Sequence, residues 1–161
     1  MDEEISSTRN NYLAYIKNTS TKPLKITFTS VTSSKVTIDA NGTYNVNYGS
    51  KYIETSTESG IFCLDASSTT QEVTLTLDNL VLTGGSLNNY GSAVRNIDDS
   101  SKMNTIIIKN CEIKNNFSTD CGTITTGKYL KKLQIQNTIF SDNTVFGQTY
   151  GNGGALYLWS K

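Results

Sequence analysis

The side chains that carry out most enzyme chemistry are sparse in this sequence. Histidine does not occur among the 161 residues, which removes the commonest general base, the commonest metal ligand and every Ser–His or Cys–His pair. Asp98 and Asp99 are adjacent, but they lie in a serine-rich segment typical of a solvated turn. We therefore predict no catalytic residue, no metal site and no cofactor.

The three cysteines, Cys63, Cys111 and Cys121, leave two arrangements open. One is a single disulfide with one free thiol. The other is a reduced protein in which all three are small buried residues, and this is the arrangement that we favour.

The elements that must position every side chain are short strands in an internal repeat. Three segments align without gaps: Leu75–Gly85, Ile106–Asn116 and Leu133–Asn143. Each begins with two aliphatic residues two positions apart, which is the alternation of a half-buried strand. Strands this short are unstable alone, so each segment must stack on its neighbours as one rung of a coil.

An asparagine ends the first strand of each repeat. These residues are Asn79, Asn110 and Asn137. Asparagine tolerates the unusual backbone angles of a tight turn, and its side chain bonds to nearby backbone, so it suits the corner of a rung. We expect the three side chains to stack, to hydrogen-bond to one another and to form a ladder that faces inward. Three residues further on come the apolar residues that start a second inward-facing strand, Leu82, Ile113 and Phe140.

A second block follows the first in each repeat, after a loop of variable length. It comprises Gly91–Val94, Cys121–Ile124 and Gly153–Leu158. A turn with glycine, followed by small and aliphatic residues, is typical of a further inward-facing strand. Loops of variable length on a fixed core are typical of a solenoid. The alternative is a β-sandwich with coincidental similarity, and the recurrence of the asparagine at one offset argues against it.

The two blocks together resemble the repeat of the chlamydial polymorphic membrane protein family. That repeat is an FxxN tetrapeptide followed by GGA and an aliphatic residue. In the last repeat, the matching residues are Phe140 and Asn143, then Gly153, Gly154, Ala155 and Leu156. The middle repeat keeps Asn116 but has Ile113 in place of phenylalanine, and the first repeat keeps only the spacing. The resemblance covers residues 74–160.

This resemblance implies an all-β, right-handed parallel β-helix in a surface-exposed or secreted protein. In that family the repeats are associated with adhesion to host cells, and the motif residues are structural. The function that it implies is a non-enzymatic, adhesin-like module that binds a protein or carbohydrate on a host or cell surface.

The alternative function is a carbohydrate-active β-helix enzyme, of the polysaccharide lyase or glycoside hydrolase type, whose site lies outside this chain or is incomplete in it. Such enzymes need clustered carboxylates on one face, and the lyases add Ca²⁺ and a basic residue. The outward positions that align across the repeats carry no stack of carboxylates, and one of them reads Asp78, Lys109 and Gln136. We therefore expect binding rather than catalysis.

Tyrosines mark a candidate binding surface. Tyr44, Tyr48 and Tyr52 recur every four residues, and Tyr150, Tyr157 and Trp159 lie close together near the end of the sequence. Exposed tyrosines stack on sugars or on protein partners. The same residues also serve as core residues, and this second role is the one that we favour.

The chain is predicted to be a single domain over residues 1–161, with 1–35 as an N-terminal cap (a short helix or strand) and 36–161 as rungs. The last residues still alternate as a strand, so we expect a fragment of a longer chain or self-association through the last rung. Lys+Arg and Asp+Glu both number 14, which gives no electrostatic reason to expect a nucleic acid partner. No signal peptide or membrane-spanning segment is visible, so an extracellular or cell-surface location rests on the resemblance.

Overall fold

Every element in the described part of the chain is a β-strand. The computed structural model describes residues 11–47, 52–66, 71–88, 90–97, 103–146 and 153–159, and no helix occurs within these ranges. The chain passes through the same sheets in the same order several times. Each pass is called a rung below.

The strands group by rung. One strand, β1 (Tyr12–Lys17), precedes the first rung. The first rung contains β2 (Leu24–Thr29), β3 (Val36–Asp39), β4 (Thr43–Asn47), β5 (Tyr52–Thr57) and β6 (Gly60–Asp65). The second contains β7 (Val73–Asp78), β8 (Leu80–Thr83), β9 (Ser86–Leu87) and β10 (Val94–Ile97). The third contains β11 (Thr105–Lys109), β12 (Glu112–Lys114), β13 (Phe117–Ser118) and β14 (Ile124–Thr126). The fourth contains β15 (Lys132–Gln136), β16 (Ile139–Ser141), β17 (Thr144–Val145) and β18 (Leu156–Leu158).

Strands of successive rungs pair side by side in four parallel sheets. The first sheet has the order β2-β7-β11-β15 and the second β3-β8-β12-β16, while the third is β9-β13-β17 and the fourth β1-β6-β10-β14-β18. In the first sheet, Leu75, Ile106 and Leu133 are register partners. In the second sheet, the register partners are Leu82, Ile113 and Phe140. The alignment of the repeats predicted from the sequence is therefore confirmed.

The core lies between the sheets and is filled by the alternate residues of each strand. In β7 the residues alternate between buried and half-buried positions along the whole strand, as period-2 geometry requires. Aliphatic side chains of the first, second and fourth sheets meet in one cluster. Its fully buried members include Leu64, Leu77, Ile108, Ile113 and Ile124. Burying one such side chain contributes about 1.5–3 kcal/mol. Stacking rungs thus supplies the core that no single rung can form.

The corner asparagines lie in one column between the first and second sheets. Asn79, Asn110 and Asn137 all have left-handed backbone angles, with φ of 55°, 54° and 47°. The Asn137 amide donates to Asn110 Oδ1 at 3.3 Å, which links two of the three side chains. The Asn110 amide donates to Asp78 Oδ1 at 2.9 Å, and the Asn79 amide donates to Thr32 O at 3.0 Å, so Asn79 is not bonded to the other two. The pKa of Asp78 is held below its usual value, chiefly by the hydrogen bond from Asn110 and further by the hydrogen bond and positive charge of Lys109.

The prediction that this column faces inward is wrong. The side chains of Asn110 and Asn137 are exposed, and that of Asn79 is half-buried. After Asn79 and Asn110, the left-handed corner turns the chain so that the next residue fills the core instead; Leu80 and Cys111 are 2% and 1% exposed. The column therefore stabilises the corner from the solvent side.

An inward-facing asparagine ladder does exist, at the next corner of the rung. Asn116 is 1% exposed and has its amide between three rungs. Its Oδ1 accepts from the Gly85 backbone N–H at 2.9 Å, and its Nδ2 donates to Leu82 O at 3.1 Å and to Asn143 Oδ1 at 3.0 Å. Asn143 in turn donates to Ile113 O at 2.7 Å. These asparagines, which end the FxxN-like segments, satisfy backbone groups that the corner would otherwise leave unpaired.

The second blocks also stack as the sequence predicts. Val94, Ile124 and Leu156 are register partners in the fourth sheet. Gly153 has a left-handed φ of 62°, which favours glycine at this turn, and Gly154 has open space where a Cβ would lie. The Ala155 carbonyl accepts a hydrogen bond from the Ile124 N–H at 3.0 Å.

In the second sheet, the Phe140 side chain is half-buried and packs against the main core.

One hairpin departs from the repeating pattern. Strands β4 and β5 pair antiparallel within the first rung. Tyr44 of β4 stacks on Phe117 of the third rung, with ring centroids 4.4 Å apart and planes at 16°. Ser86 in the second rung donates through its hydroxyl to Thr43 O at 3.1 Å. The hairpin therefore packs against β9 and β13 of the third sheet, where Phe117 is fully buried.

The segment predicted to be an N-terminal cap contributes two strands to the stack. Tyr12–Lys17 forms β1, a strand and not a helix, and it pairs in parallel with β6. Leu24–Thr29 forms β2, which pairs in parallel with β7. Ile26 is the register partner of Leu75, which is in turn the partner of Ile106 in β11. A capping role for residues 1–35 stays a prediction, and residues 1–10 lie outside the described part of the chain.

Two neighbouring isoleucines in β11 allow a test of which face of the strand packs in the core. Ile108 is 0% exposed in the cluster, whereas Ile107 is half-buried on the opposite face of the strand. We expect Ile108→Ala to lower the free energy of unfolding by about 2–5 kcal/mol, because it leaves a cavity. The control Ile107→Ala should cost about 1 kcal/mol or less. Urea denaturation followed by circular dichroism measures both, and equal losses would contradict the assigned core.

The two asparagine columns should differ in their contribution to stability. Asn116→Ala removes the partner of several buried backbone groups, so we expect a loss of roughly 2–4 kcal/mol in the free energy of unfolding. Asn110→Gly keeps the left-handed corner and removes only an exposed side chain, so its effect should stay below about 1 kcal/mol. A larger effect at Asn110 than at Asn116 in the same denaturation assay would reverse this assignment.

Candidate ligand-binding groove

The outer face of the fourth sheet carries one column of side chains across three rungs. Val94, Ile124 and Leu156 point into the core, so the next residue of each strand points outward. These outward residues are register partners: Arg95, Thr125 and Tyr157. A long cationic side chain and an aromatic ring therefore flank a short threonine.

The central strand of this face carries small residues, which creates a groove. Thr125 lies between Arg95 and Tyr157, and by the same register Gly127 falls between Ile97 and Trp159. Large side chains in the two neighbouring rungs thus rise on either side of a low floor. The groove encloses about 360 Å³. Its floor is held by the Thr125 hydroxyl, which donates to Gly122 O at 2.9 Å.

Aromatic rings line one wall of the groove. The rings of Tyr157 and Trp159 are tilted by 45° with centroids 6.3 Å apart, and Trp159 is 52% exposed. The Lys128 ammonium lies 5.4 Å from the Trp159 centroid, within the range of a cation–π contact. On the other wall, the Arg95 guanidinium lies 5.2 Å from the Tyr90 centroid.

The charges at the groove are of one sign. Arg95 and Lys128 line it, and the described lining residues include no carboxylate. The carboxylate of Asp65 in β6 is fully buried and accepts a hydrogen bond from the Tyr15 hydroxyl. Glu58 lines a smaller adjacent cavity, where Asn11 donates to its carboxylate at 2.6 Å. Asp98 and Asp99 lie outside the described residues.

The tyrosines predicted as binding residues are not brought together by the part of the structure that is described. Tyr44 stacks on Phe117 and so packs on the protein itself, although it remains 43% exposed. Tyr48 and Tyr150 lie outside the described residues, and of Tyr52 only its place in β5 is described. Their role in binding stays a prediction.

The groove combines Tyr157 and Trp159, which the sequence predicts to lie near Tyr150, with three further residues. These are Tyr90, Arg95 and Lys128, which no motif of the sequence indicates. The signal was present, however, in the second blocks. Once Val94, Ile124 and Leu156 are aligned as inward residues, the residues that follow them must share the outer face.

All three cysteines are buried, and none of them forms a disulfide. Burial raises the pKa of the Cys121 thiol to about 11, and the nearby Asp120 acts in the same direction. Burial likewise raises the pKa of Cys111, whose thiol donates to Lys109 O at 3.2 Å. Thiols held in the neutral form are poor nucleophiles, so these cysteines act as small core residues.

Within the described ranges, no group of three or more histidine, cysteine, aspartate or glutamate side chains is arranged to hold a metal ion. The described residues also contain no helix with the length and apolar character needed to cross a membrane.

Comparisons with known proteins return no match: no family model, no curated protein and no solved structure matches this chain. The similarity to the polymorphic membrane protein repeats therefore rests on the motif residues themselves.

Alkaline pH should destabilise the protein in part through Cys121. An unfolded cysteine ionises at its usual pKa of 9.0, whereas the folded thiol keeps its proton to about 11. Between these values unfolding releases a proton, so stability falls as pH rises. We expect Cys121→Ala to show a shallower loss of unfolding free energy between pH 8.5 and about 10.5 than the unchanged protein. Comparing slopes removes the constant cost of the small cavity, and parallel curves would show that the thiol stays accessible to ionisation.

Proposed function

We propose that the chain is a right-handed parallel β-helix module that binds a surface ligand in the groove of its fourth sheet and catalyses no reaction. The architecture is supported by the regular return of the chain through the same parallel sheets, rung after rung. It is supported further by the Asn116 and Asn143 ladder at the corner where the FxxN-like segments end. Both features are those that a solenoid uses to join rungs.

The observation that carries the binding role is the chemistry of the groove. Its walls bear a half-buried tyrosine and an exposed tryptophan, and cations flank a low polar floor. Aromatic side chains with one exposed face supply contact area at little cost in conformational entropy, which is why they dominate recognition sites. Glycosidases instead need two carboxylates about 5–10 Å apart, and the described lining carries none. This composition favours recognition over hydrolysis.

The location of the module follows from the resemblance to adhesin repeats. A rigid stack of strands holds the groove residues on one outer face, where a large ligand has access from solvent. A polysaccharide or glycoprotein at a cell surface presents such a ligand. We therefore propose an adhesin-like role at the outside of a cell.

The groove predicts a specific pattern of cell binding. Fluorescently labelled protein should bind saturably to a subset in a panel of intact animal and microbial cells. The double variant Tyr157→Ala/Trp159→Ala should lose at least about tenfold in affinity, because aromatic anchors at recognition sites contribute about 1.4 kcal/mol or more. The matched control is Ile139→Ala, which removes an exposed apolar side chain (64% exposed) from the second sheet.

The same experiment separates binding from catalysis. Polysaccharides extracted from the cells that bind should show no new reducing ends and no unsaturated products after incubation with the protein. Product formation would establish an enzyme instead. Equal cell binding by the double variant and by Ile139→Ala would place the ligand site elsewhere.

A further inference from the structure

We propose that the ligand of the groove is an acidic oligosaccharide, a short run of sugar rings bearing carboxylate or sulfate groups. This inference rests on the proposed binding function and names its ligand class. Sugar rings have apolar faces that stack on aromatic side chains, and acidic groups pair with cations. The groove presents both kinds of partner.

The aromatic wall is suited to a flat ring. Trp159 is half-exposed beside Tyr157, and its indole already attracts the ammonium of Lys128. Because the ammonium covers one face of the indole, a sugar ring stacks on the other face or displaces Lys128, and in both cases its substituents lie near that positive charge. The contact favours an acidic sugar over a neutral one.

The opposite wall places a second cation at a defined separation. Arg95 and Tyr157 are register partners through Thr125, so two strand spacings, about 10 Å, separate their backbones. The Arg95 guanidinium is held over the Tyr90 ring, which limits its freedom before a ligand arrives. The two walls thus engage different parts of one extended molecule.

No carboxylate occurs in the described lining beside these positive charges. Two acidic side chains nearby already accept hydrogen bonds: Asn11 donates to Glu58, in the smaller cavity that Arg95 also lines, and the Tyr15 hydroxyl donates to Asp65. The short floor residues Thr125 and Gly127 leave room for ring substituents. Charge complementarity therefore points to an anion whose body is a polar ring.

Single-stranded nucleic acid also combines anionic groups with flat rings, but it fits less well. Binding of nucleic acid depends on neutralising several phosphates, usually along a positively charged track. The whole chain has a formal net charge of zero, and two cations line the groove within the described residues. An oligosaccharide with one or two acidic groups can be neutralised by these two cations alone.

Trp159 is the single tryptophan of the sequence, so its fluorescence reports directly on the groove. The full chain would be titrated with tetrasaccharides of heparin, of polygalacturonate and of neutral cellulose. At least one acidic tetrasaccharide should shift the emission saturably, and its affinity should fall when salt rises from about 50 to 300 mM, because salt screens exposed charges. The cellulose tetrasaccharide should bind at least about tenfold more weakly.

Charge variants test the assigned contacts. Arg95→Gln and Lys128→Gln should each weaken binding of the acidic tetrasaccharide about tenfold and flatten its salt dependence. The matched control is Lys25→Gln, an exposed lysine of the first sheet, which should bind as the unchanged protein does. Arg95→Lys restores the charge and should recover part of the affinity, which a purely structural role of Arg95 would not predict.

The outcomes distinguish this inference from the function on which it rests. Equal, salt-independent binding of the neutral tetrasaccharide would overturn the acidic ligand. A failure of all three tetrasaccharides, or tighter binding of a single-stranded oligonucleotide, would also overturn it. In either case, loss of cell binding by Tyr157→Ala/Trp159→Ala would still support the proposed function, whereas unchanged cell binding by that variant would remove both.

Discussion

Parallel backbone pairing in register between successive rungs is the interaction on which the other features depend. Because every rung pairs with the next through the same backbone positions, residues at one position of the repeat form a column. The columns then determine which side chains meet. Aliphatic columns form the core, the Asn116 and Asn143 column satisfies a buried corner, and the Arg95, Thr125 and Tyr157 column forms a groove. A change of register by one residue would invert every face at once.

Most of the strand stacking could be predicted from the sequence, since it follows from periodicity. Leu75, Ile106 and Leu133 differ in identity but share an alternating pattern, and that pattern was sufficient to align three rungs. The direction of the corner asparagines was not predictable in the same way. Both corners of a rung carry an asparagine, so the residue type alone does not show which one points inward. At the first corner, Asn79 and Asn110 have left-handed backbone angles, and the residues that follow them, Leu80 and Cys111, fill the core.

The groove was harder to predict because its shape depends on the positions of small residues. Aromatic residues attract notice in a sequence, whereas a threonine and a glycine in a central strand do not. Yet Thr125 and Gly127 create the space that makes Tyr157 and Trp159 a wall of a concave site rather than isolated exposed rings. Grooves on stacked strands therefore arise from size differences between rungs, and these become visible only after the register is known.

The hairpin of β4 and β5 has a consequence for how the molecule unfolds. In a stack of rungs, each unit normally touches only its immediate neighbours, so end units can open while the rest stays folded. The ring of Tyr44 reaches from the first rung to Phe117 in the third, and Thr43 is bonded to Ser86 in the second. This contact ties three consecutive units into one cooperative block. Opening the first of them must therefore expose apolar surface two units away. The three units should then unfold together, as a single globular domain does, and not one at a time from the end.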